Sequence, residues 1–186
     1  MNIASCDIRH IIRNTVHPGP PAEGMYKSAC VFLLLFEKKE PHILAIQKTD
    51  TEGYLWRNQV ALPGGHVDED ETTADAVFRE LGEELGISGN QVELVGSIGH
   101  FQTISNRNIE VFVGFWNGEG PVRHDTREIS RVLEIPLRKL FDTHSAKKFH
   151  GRKLGLQELV YPFQDVVIWG VTAKILHYFI ELLNKT

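Results

Sequence analysis

Residues 79–86 read RELGEELG, which places Arg79, Glu80, Glu83 and Glu84 within two turns of any helix they form. At roughly 100° per residue, Ala74, Val77, Phe78, Leu81 and Leu85 fall on one apolar stripe. Glu80, Glu83 and Glu84 share the adjoining arc, with Glu80 and Glu84 stacked one turn apart. Such a helix buries its stripe in a core and aims three carboxylates at one spot. Hard cations such as Mg²⁺ and Mn²⁺ take oxygen donors of this kind. A solvated helix face accounts for the same residues, because like charges at i,i+4 cost only about 0.2–0.5 kcal/mol. The glutamates alone leave both readings open.

The residues in front of the helix add to the first reading. In LPGGHVDEDE the chain enters through a Pro-Gly-Gly turn, and Gly64 and Gly65 let backbone pass close to whatever the carboxylates hold. A carbonyl of that turn is a candidate further oxygen ligand. Thr72 or Thr73 is placed to cap the helix, and Gly86 to end it.

The remaining elements must position this segment. DIRHIIRNTV carries Ile8, Ile11, Ile12 and Val16 at helical spacing, and HPGPPAEG breaks that helix. SACVFLLLF and HILAIQK flank a polar turn and read as a β-hairpin, and NQVALPGG as a short strand. QVELVGSIGHFQT, NIEVFVGFW and SRVLEIPL have strand character. PLRKLF reads as a helical turn, KKFH and LVYPF as a late hairpin, and Trp169–Leu183 as an amphipathic helix. Irregular alternation of strands and helices favours an α+β fold, with a mixed sheet between helices, over a regular βαβ repeat.

A length of 186 residues suits one domain, expected as an N-terminal helix and Pro-rich loop over 1–27 and a catalytic core over 28–186. A net charge of −4 argues against non-specific nucleic-acid binding. Cys6 and Cys30 have no metal-ligand spacing and read as free thiols. Asp7, Arg9, His10 and Arg13 precede any long apolar run, and Lys174, His177 and Glu181 interrupt the most apolar late segment, so neither a signal peptide nor a membrane span is expected, and the expected location is cytoplasmic.

Gly65, five residues, Glu71, seven residues and then RELGEELGI resemble the Nudix box at Gly65, Glu71, Arg79, Glu80, Leu81, Glu83, Glu84, Gly86 and Ile87. At average residue usage a chance match in a chain this long is roughly one in ten million. The resemblance implies a Nudix fold, an α/β/α sandwich with a mixed β-sheet between helices, and hydrolysis of a nucleoside diphosphate linked to another moiety. It implies metal binding by Glu80, Glu83 and Glu84 with help from the Gly64 carbonyl, and a structural brace of Glu71 and Arg79 around Gly65. The implied cofactor is Mg²⁺ or Mn²⁺ and the partner a small-molecule nucleotide. Many relatives dimerise, so a homodimer is among the expectations.

Metal ions held by carboxylates neutralise a diphosphate and lower the pKa of bound water. Glu83 and Glu84 are therefore expected in catalysis. Glu128, in the loop before a late strand, is a second candidate to accept the water's proton. Arg57 and Lys48 are candidates for substrate phosphates, and Trp56, Tyr54 and Phe101 for stacking on a base. His66 and His100 are left without a role.

WRNQVALPGG also resembles the upstream motif of the coenzyme A pyrophosphatase branch, ending Gly-Gln-Val-x-Phe-Pro-Gly-Gly, with Asn58 for the glycine and Leu62 for the phenylalanine. ILAIQKTD, EISRVLEIPLRKLF and IWGVTAKIL are similar to other segments of that branch. The resemblance implies coenzyme A or an acyl-CoA as substrate, with ADP-ribose, NADH or dinucleoside polyphosphates as alternatives. Retention of all three glutamates favours an enzyme over a nucleotide-binding module.

Overall fold

Strand β1 (Lys27–Glu37) is buried on both faces, and this places it at the centre of the sheet. Phe32, Leu34 and Phe36 point into one cluster while Leu33 and Leu35 point into another. A strand covered on both sides reads as a continuous apolar run, and SACVFLLLF is one. The computed structural model describes residues 5–22, 26–53, 56–155 and 157–185.

Strand β2 (Pro41–Lys48) pairs antiparallel with β1 through Leu34–Leu44 and Glu37–Pro41. On the other side β6 (Arg107–Trp116) runs parallel to β1 from Lys27–Arg107 to Phe36–Trp116, and β5 (Val92–Gln102) pairs antiparallel with β6. Strands β3 (Val60–Ala61) and β7 (Ile129–Pro136) pair with β2, and β4 (Gly64–His66) pairs with β1. The sheet is therefore mixed. Helix α2 (Thr73–Leu85) covers one face through Ala76, Val77, Leu81 and Leu85. Helices α1 (Ser5–Asn14), α3 (Leu137–Ala146) and α4 (Gly170–Asn184) contribute to the apolar cluster on the other face. This is the α+β, α/β/α arrangement with a mixed sheet. Among the described residues no helix is long and apolar enough to cross a membrane.

Helix α2 is held at both ends. The Thr72 hydroxyl accepts from Asp75 N–H at 3.1 Å, and the Asp75 carboxylate accepts from Thr72 N–H at 3.3 Å. Gly86 closes the helix at φ 66° and donates its N–H to the Gly82 carbonyl.

Three expectations change. Val16 is 95% exposed instead of sharing the buried face of Ile8, Ile11 and Ile12. Helix α1 stops at Asn14, where the Asn14 and Thr15 side chains donate to the carbonyls of His10 and Ile11, both at 2.7 Å. The helical rotation is lost before Val16. PLRKLF is more than one turn, because Leu137, Leu140 and His144 recur on a buried helical stripe and carry α3 to Ala146. KKFH is no strand. It forms the turn after α3, with Lys148 at φ 54°, and Phe149 drops edge-on against His144 and Tyr161. The late hairpin is instead β8 (Tyr161–Phe163) with β9 (Val166–Ile168).

Leu81 is fully buried between α2 and the sheet. Leu81→Ala should cost about 2–5 kcal/mol in urea unfolding, and Val16→Ala should stay within about 0.5 kcal/mol. Equal effects would contradict this placement of the core.

Candidate active site

Leu44 and Ile46 of β2 face α2, and Lys48 leaves the strand on the same side. Its Nζ donates to Glu84 Oε1 at 2.7 Å. Glu84 is 8% exposed, at the C-terminal end of α2, and its Oε2 accepts the Gly64 N–H at 2.9 Å. That N–H is available because of the β1–β4 register. Phe32 N–H donates to the Pro63 carbonyl at 2.8 Å, and Val31 stands opposite Gly64 at the next, non-hydrogen-bonded pair. The same alternation keeps the Gly64 carbonyl out of the ladder.

Gly64 and Gly65, expected in a turn, instead open strand β4, and they serve different glutamates. At Gly64 (φ 143°) a Cβ would lie 2.2 Å from the Cys30 carbonyl oxygen, so only glycine brings the backbone onto β1 there. At Gly65 a Cβ would lie 2.3 Å from Glu80 Oε1, so the missing side chain is where the Glu80 carboxylate sits.

Arg79 joins the acidic groups. Its Nε and Nη2 donate to Glu71 Oε2 and Oε1 at 3.1 and 2.7 Å, a bidentate pair. Nη1 donates to Glu80 Oε1 and to Glu83 Oε2, each at 3.1 Å. Nη2 also donates to the His66 carbonyl at 3.0 Å, and Glu71 Oε1 accepts from Asp68 N–H at 2.9 Å. One guanidinium thus ties the loop over 66–71 to the helix and spans two of the three candidate metal ligands. Glu71 and Arg79, the pair the resemblance implies as a brace, form an ion pair here.

These contacts set the electrostatics. The Arg79 hydrogen bond, aided by Asp68 N–H, holds the Glu71 carboxyl below its ordinary value. Glu71 in turn raises the Arg79 guanidinium, which stays charged. Burial pushes the Glu84 carboxyl up, with Lys48 and Gly64 N–H opposing it. Burial also pushes the neighbouring Cys30 thiol up to about 12, which makes it a poor nucleophile.

The donor set fits a hard divalent cation. Glu84 already holds a cation, the Lys48 ammonium, at hydrogen-bond distance. Glu80 lies against the glycine turn, and Glu83 is 62% exposed beside it. The three glutamates offer oxygen donors, the kind a hard cation takes.

The other candidates lie at varying distance from this cluster. Glu128 is exposed at the end of the loop before β7, and its carbonyl accepts Thr49 N–H at 3.0 Å, so the loop runs beside Lys48. Arg57 is exposed and meets Asp50 at only 3.7 Å. Phe101 is buried against Tyr178, which removes it as a stacking platform. Trp56 is half-buried with the Arg107 guanidinium 5.7 Å from its ring. Tyr54 lies outside the described residues. His100 pairs with Asn108 at 2.9 Å. His66 meets Arg107, a cation that sequence spacing does not reveal because β6 starts 41 residues after the turn. Glu110 is a similar case, accepting the Thr73 hydroxyl at 2.5 Å at the start of α2.

The Glu71 shift has a direct consequence. Its folded pKa lies below the ordinary 4.5, so its contribution to stability is complete above about pH 4.5 and is lost as pH falls through the folded value. In urea unfolding followed against pH, Glu71→Gln should flatten the decline below about pH 4.5. An unchanged acid limb would show that the Arg79 pair contributes nothing to it.

Comparison with known proteins places this geometry in a family. A family model described as NUDIX domain matches residues 25–155. An uncharacterized Nudix hydrolase, NudL, from Photorhabdus laumondii is 27% identical over 165 residues, covering 86% of this chain and 88% of that one. The fold matches a MutT protein from Methanosarcina mazei at TM-score 0.56 and 18% identity, over 89% of this chain and 98% of that one. It also matches a MutT/nudix family protein from Enterococcus faecalis at TM-score 0.57 and 17% identity, over all of this chain and 76% of that one. With the glutamate-lined helix, the glycines before it and all seven strands of the main sheet inside the matched span, the chain belongs to the NUDIX domain family, hydrolases that act on pyrophosphate bonds.

Proposed function

We propose that the chain hydrolyses the diphosphate of coenzyme A or an acyl-CoA, releasing 3′,5′-ADP and (acyl-)4′-phosphopantetheine. The observation that carries the choice of substrate is the conformation of the segment before the turn. The residue that departs most from the coenzyme A motif, Asn58 for glycine, has φ 59°. That is the left-handed region glycine adopts freely and asparagine tolerates best among other residues. The second departure, Leu62 for phenylalanine, is buried in the core, so one apolar side chain stands for another. Both substitutions are compatible with a glycine and a phenylalanine at these positions of the motif.

In this reading Glu80, Glu83, Glu84 and the Gly64 carbonyl hold Mg²⁺ or Mn²⁺. The bound cations would neutralise the diphosphate and supply a water of lowered pKa. Glu71 and Arg79 hold the helix and its preceding loop in register, and Gly65 leaves room for Glu80. Arg57, only loosely paired with Asp50, and Lys48, at the end of β2, take the substrate's phosphates. Water adds to one phosphorus, the P–O bond to the bridging oxygen breaks, and that oxygen departs with the electron pair. The water's proton goes to Glu83, the most exposed of the three glutamates, or to Glu128 across the site.

Incubation with coenzyme A, ADP-ribose, NADH and diadenosine polyphosphates, with Mg²⁺ or Mn²⁺ added, distinguishes the substrates. Coenzyme A should give 3′,5′-ADP and 4′-phosphopantetheine at the highest kcat/KM of the set. Turnover of another member with coenzyme A untouched would overturn the choice of substrate. Ligand affinity with no turnover of any member would favour a binding module. Glu84→Gln retains the shape of the side chain. It should lower kcat by roughly 10³-fold or more, about 4 kcal/mol of barrier, with an unchanged circular dichroism spectrum. Wild-type turnover in that variant would remove Glu84 from the metal site.

A further inference from the structure

A second group of ligating side chains lies among residues of the opposite sheet face, where α3, the turn behind it and α4 meet. Glu181 Oε1 is shared by two imidazoles, accepting from His144 Nε2 at 2.8 Å and from His150 Nδ1 at 2.9 Å. The other carboxylate oxygen accepts the Gly151 N–H at 3.1 Å, which fixes the plane of the carboxylate. His144 Nδ1 lies 3.0 Å from the Tyr161 hydroxyl, and His177 stacks on the same ring with centroids 5.1 Å apart. The two nitrogens and the carboxylate oxygen all fall within 4.8 Å of one another. None of these residues belongs to the pyrophosphatase site.

The geometry is that of a three-point cap open on one side. His144 and Glu181 are largely enclosed, at 2% and 18% side-chain exposure, while His150 is 67% exposed. Burial raises the Glu181 carboxyl, but Gly151 N–H and the two imidazoles outweigh it and hold the group below its ordinary value. Bonds of about 2.0–2.1 Å to a tetrahedral Zn²⁺ separate neighbouring ligand atoms by about 3.3 Å. Each histidine nitrogen would withdraw by about half an ångström from Oε1, and the exposed His150 can move to set its spacing from His144 Nε2, which lies within 4.8 Å. With Nε2 on an ion, His144 would carry its proton on Nδ1, and the Tyr161 hydroxyl 3.0 Å away can accept it, the outer hydrogen bond that orients a ligating imidazole.

We infer that His144 Nε2, His150 Nδ1 and Glu181 Oε1 form a binding site for a borderline-soft divalent cation of the Zn²⁺ class, with solvent as the fourth ligand. Two nitrogen donors discriminate against Mg²⁺, which takes oxygen, so the two metal sites of the chain select different ions. Bound there, the ion pins the turn after α3 to the outer half of α4.

Zn²⁺ titrated into the metal-stripped full chain by calorimetry, in excess Mg²⁺ to fill the carboxylate site, tests this. The wild-type chain should bind one equivalent of Zn²⁺, and Glu84→Gln should retain it. His150→Ala, a change at an exposed side chain, should lose it. At Zn²⁺ about a hundredfold above the dissociation constant, the melting temperature should rise by roughly 5–10 °C in the wild type and not in His150→Ala. Co²⁺ in place of Zn²⁺ should give a visible absorption band that the same variant abolishes. Failure of the wild type to bind Zn²⁺ in excess Mg²⁺ would overturn the inference, as would full binding and the same thermal shift in His150→Ala.

Discussion

The acidic end of this molecule depends on one guanidinium. Glu71, Glu80 and Glu83 all bond to Arg79, which also holds the His66 carbonyl. Without that cation, three carboxylates would face one another across a loop and a helix with only solvent to screen them. The planar fork of arginine meets Glu71 through two parallel bonds and still reaches Glu80 and Glu83, an arrangement a lysine ammonium does not reproduce. Glu84 is the exception that shows the same constraint from the inside. It is buried and turned away from Arg79, and a separate cation, Lys48, balances it. Charge balance is therefore divided between two residues 31 positions apart, and the fold must bring them together.

The sheet does so through register. Because β1 is sandwiched between α2 and the opposite helices, its alternation has no freedom to slip without exposing Phe32 or Leu33. With β1 fixed, the pairing Val31–Gly64 sets the turn, and the alternation of β2 delivers Lys48 to α2. The glycines complete the fit by allowing backbone where any side chain would collide with Cys30 or Glu80. Packing in the core and chemistry at the rim are two readings of the same strand register.

Much of this was legible in the sequence where the signals are local. The Thr72 cap, the Gly86 stop, the apolar stripe through Leu81 and the Glu71–Arg79 pair all lie within one segment of 16 residues. The signals failed where local spacing competes with side-chain bonding or with distant packing. Val16 continues a helical period, but Asn14 and Thr15 bond the last carbonyls and end the helix first. KKFH looks like a strand until Phe149 finds His144 and Tyr161. Lys48 could be proposed as a phosphate ligand from its place in a motif, but its bond to Glu84 spans 36 residues and has no sequence signature. The meeting of His144, His150 and Glu181 depends likewise on how α3 and α4 cross.

We propose that Glu80, Glu83 and Glu84 together hold divalent cations. Anomalous diffraction from a crystal grown with Mn²⁺ and a non-hydrolysable coenzyme A analogue addresses it most directly. Manganese peaks should appear about 2.1–2.2 Å from these carboxylate oxygens, with the Lys48 ammonium moved off Glu84 onto a phosphate of the analogue. Lys48 still seated on Glu84, with no manganese at the three glutamates beside a bound analogue, would contradict the account.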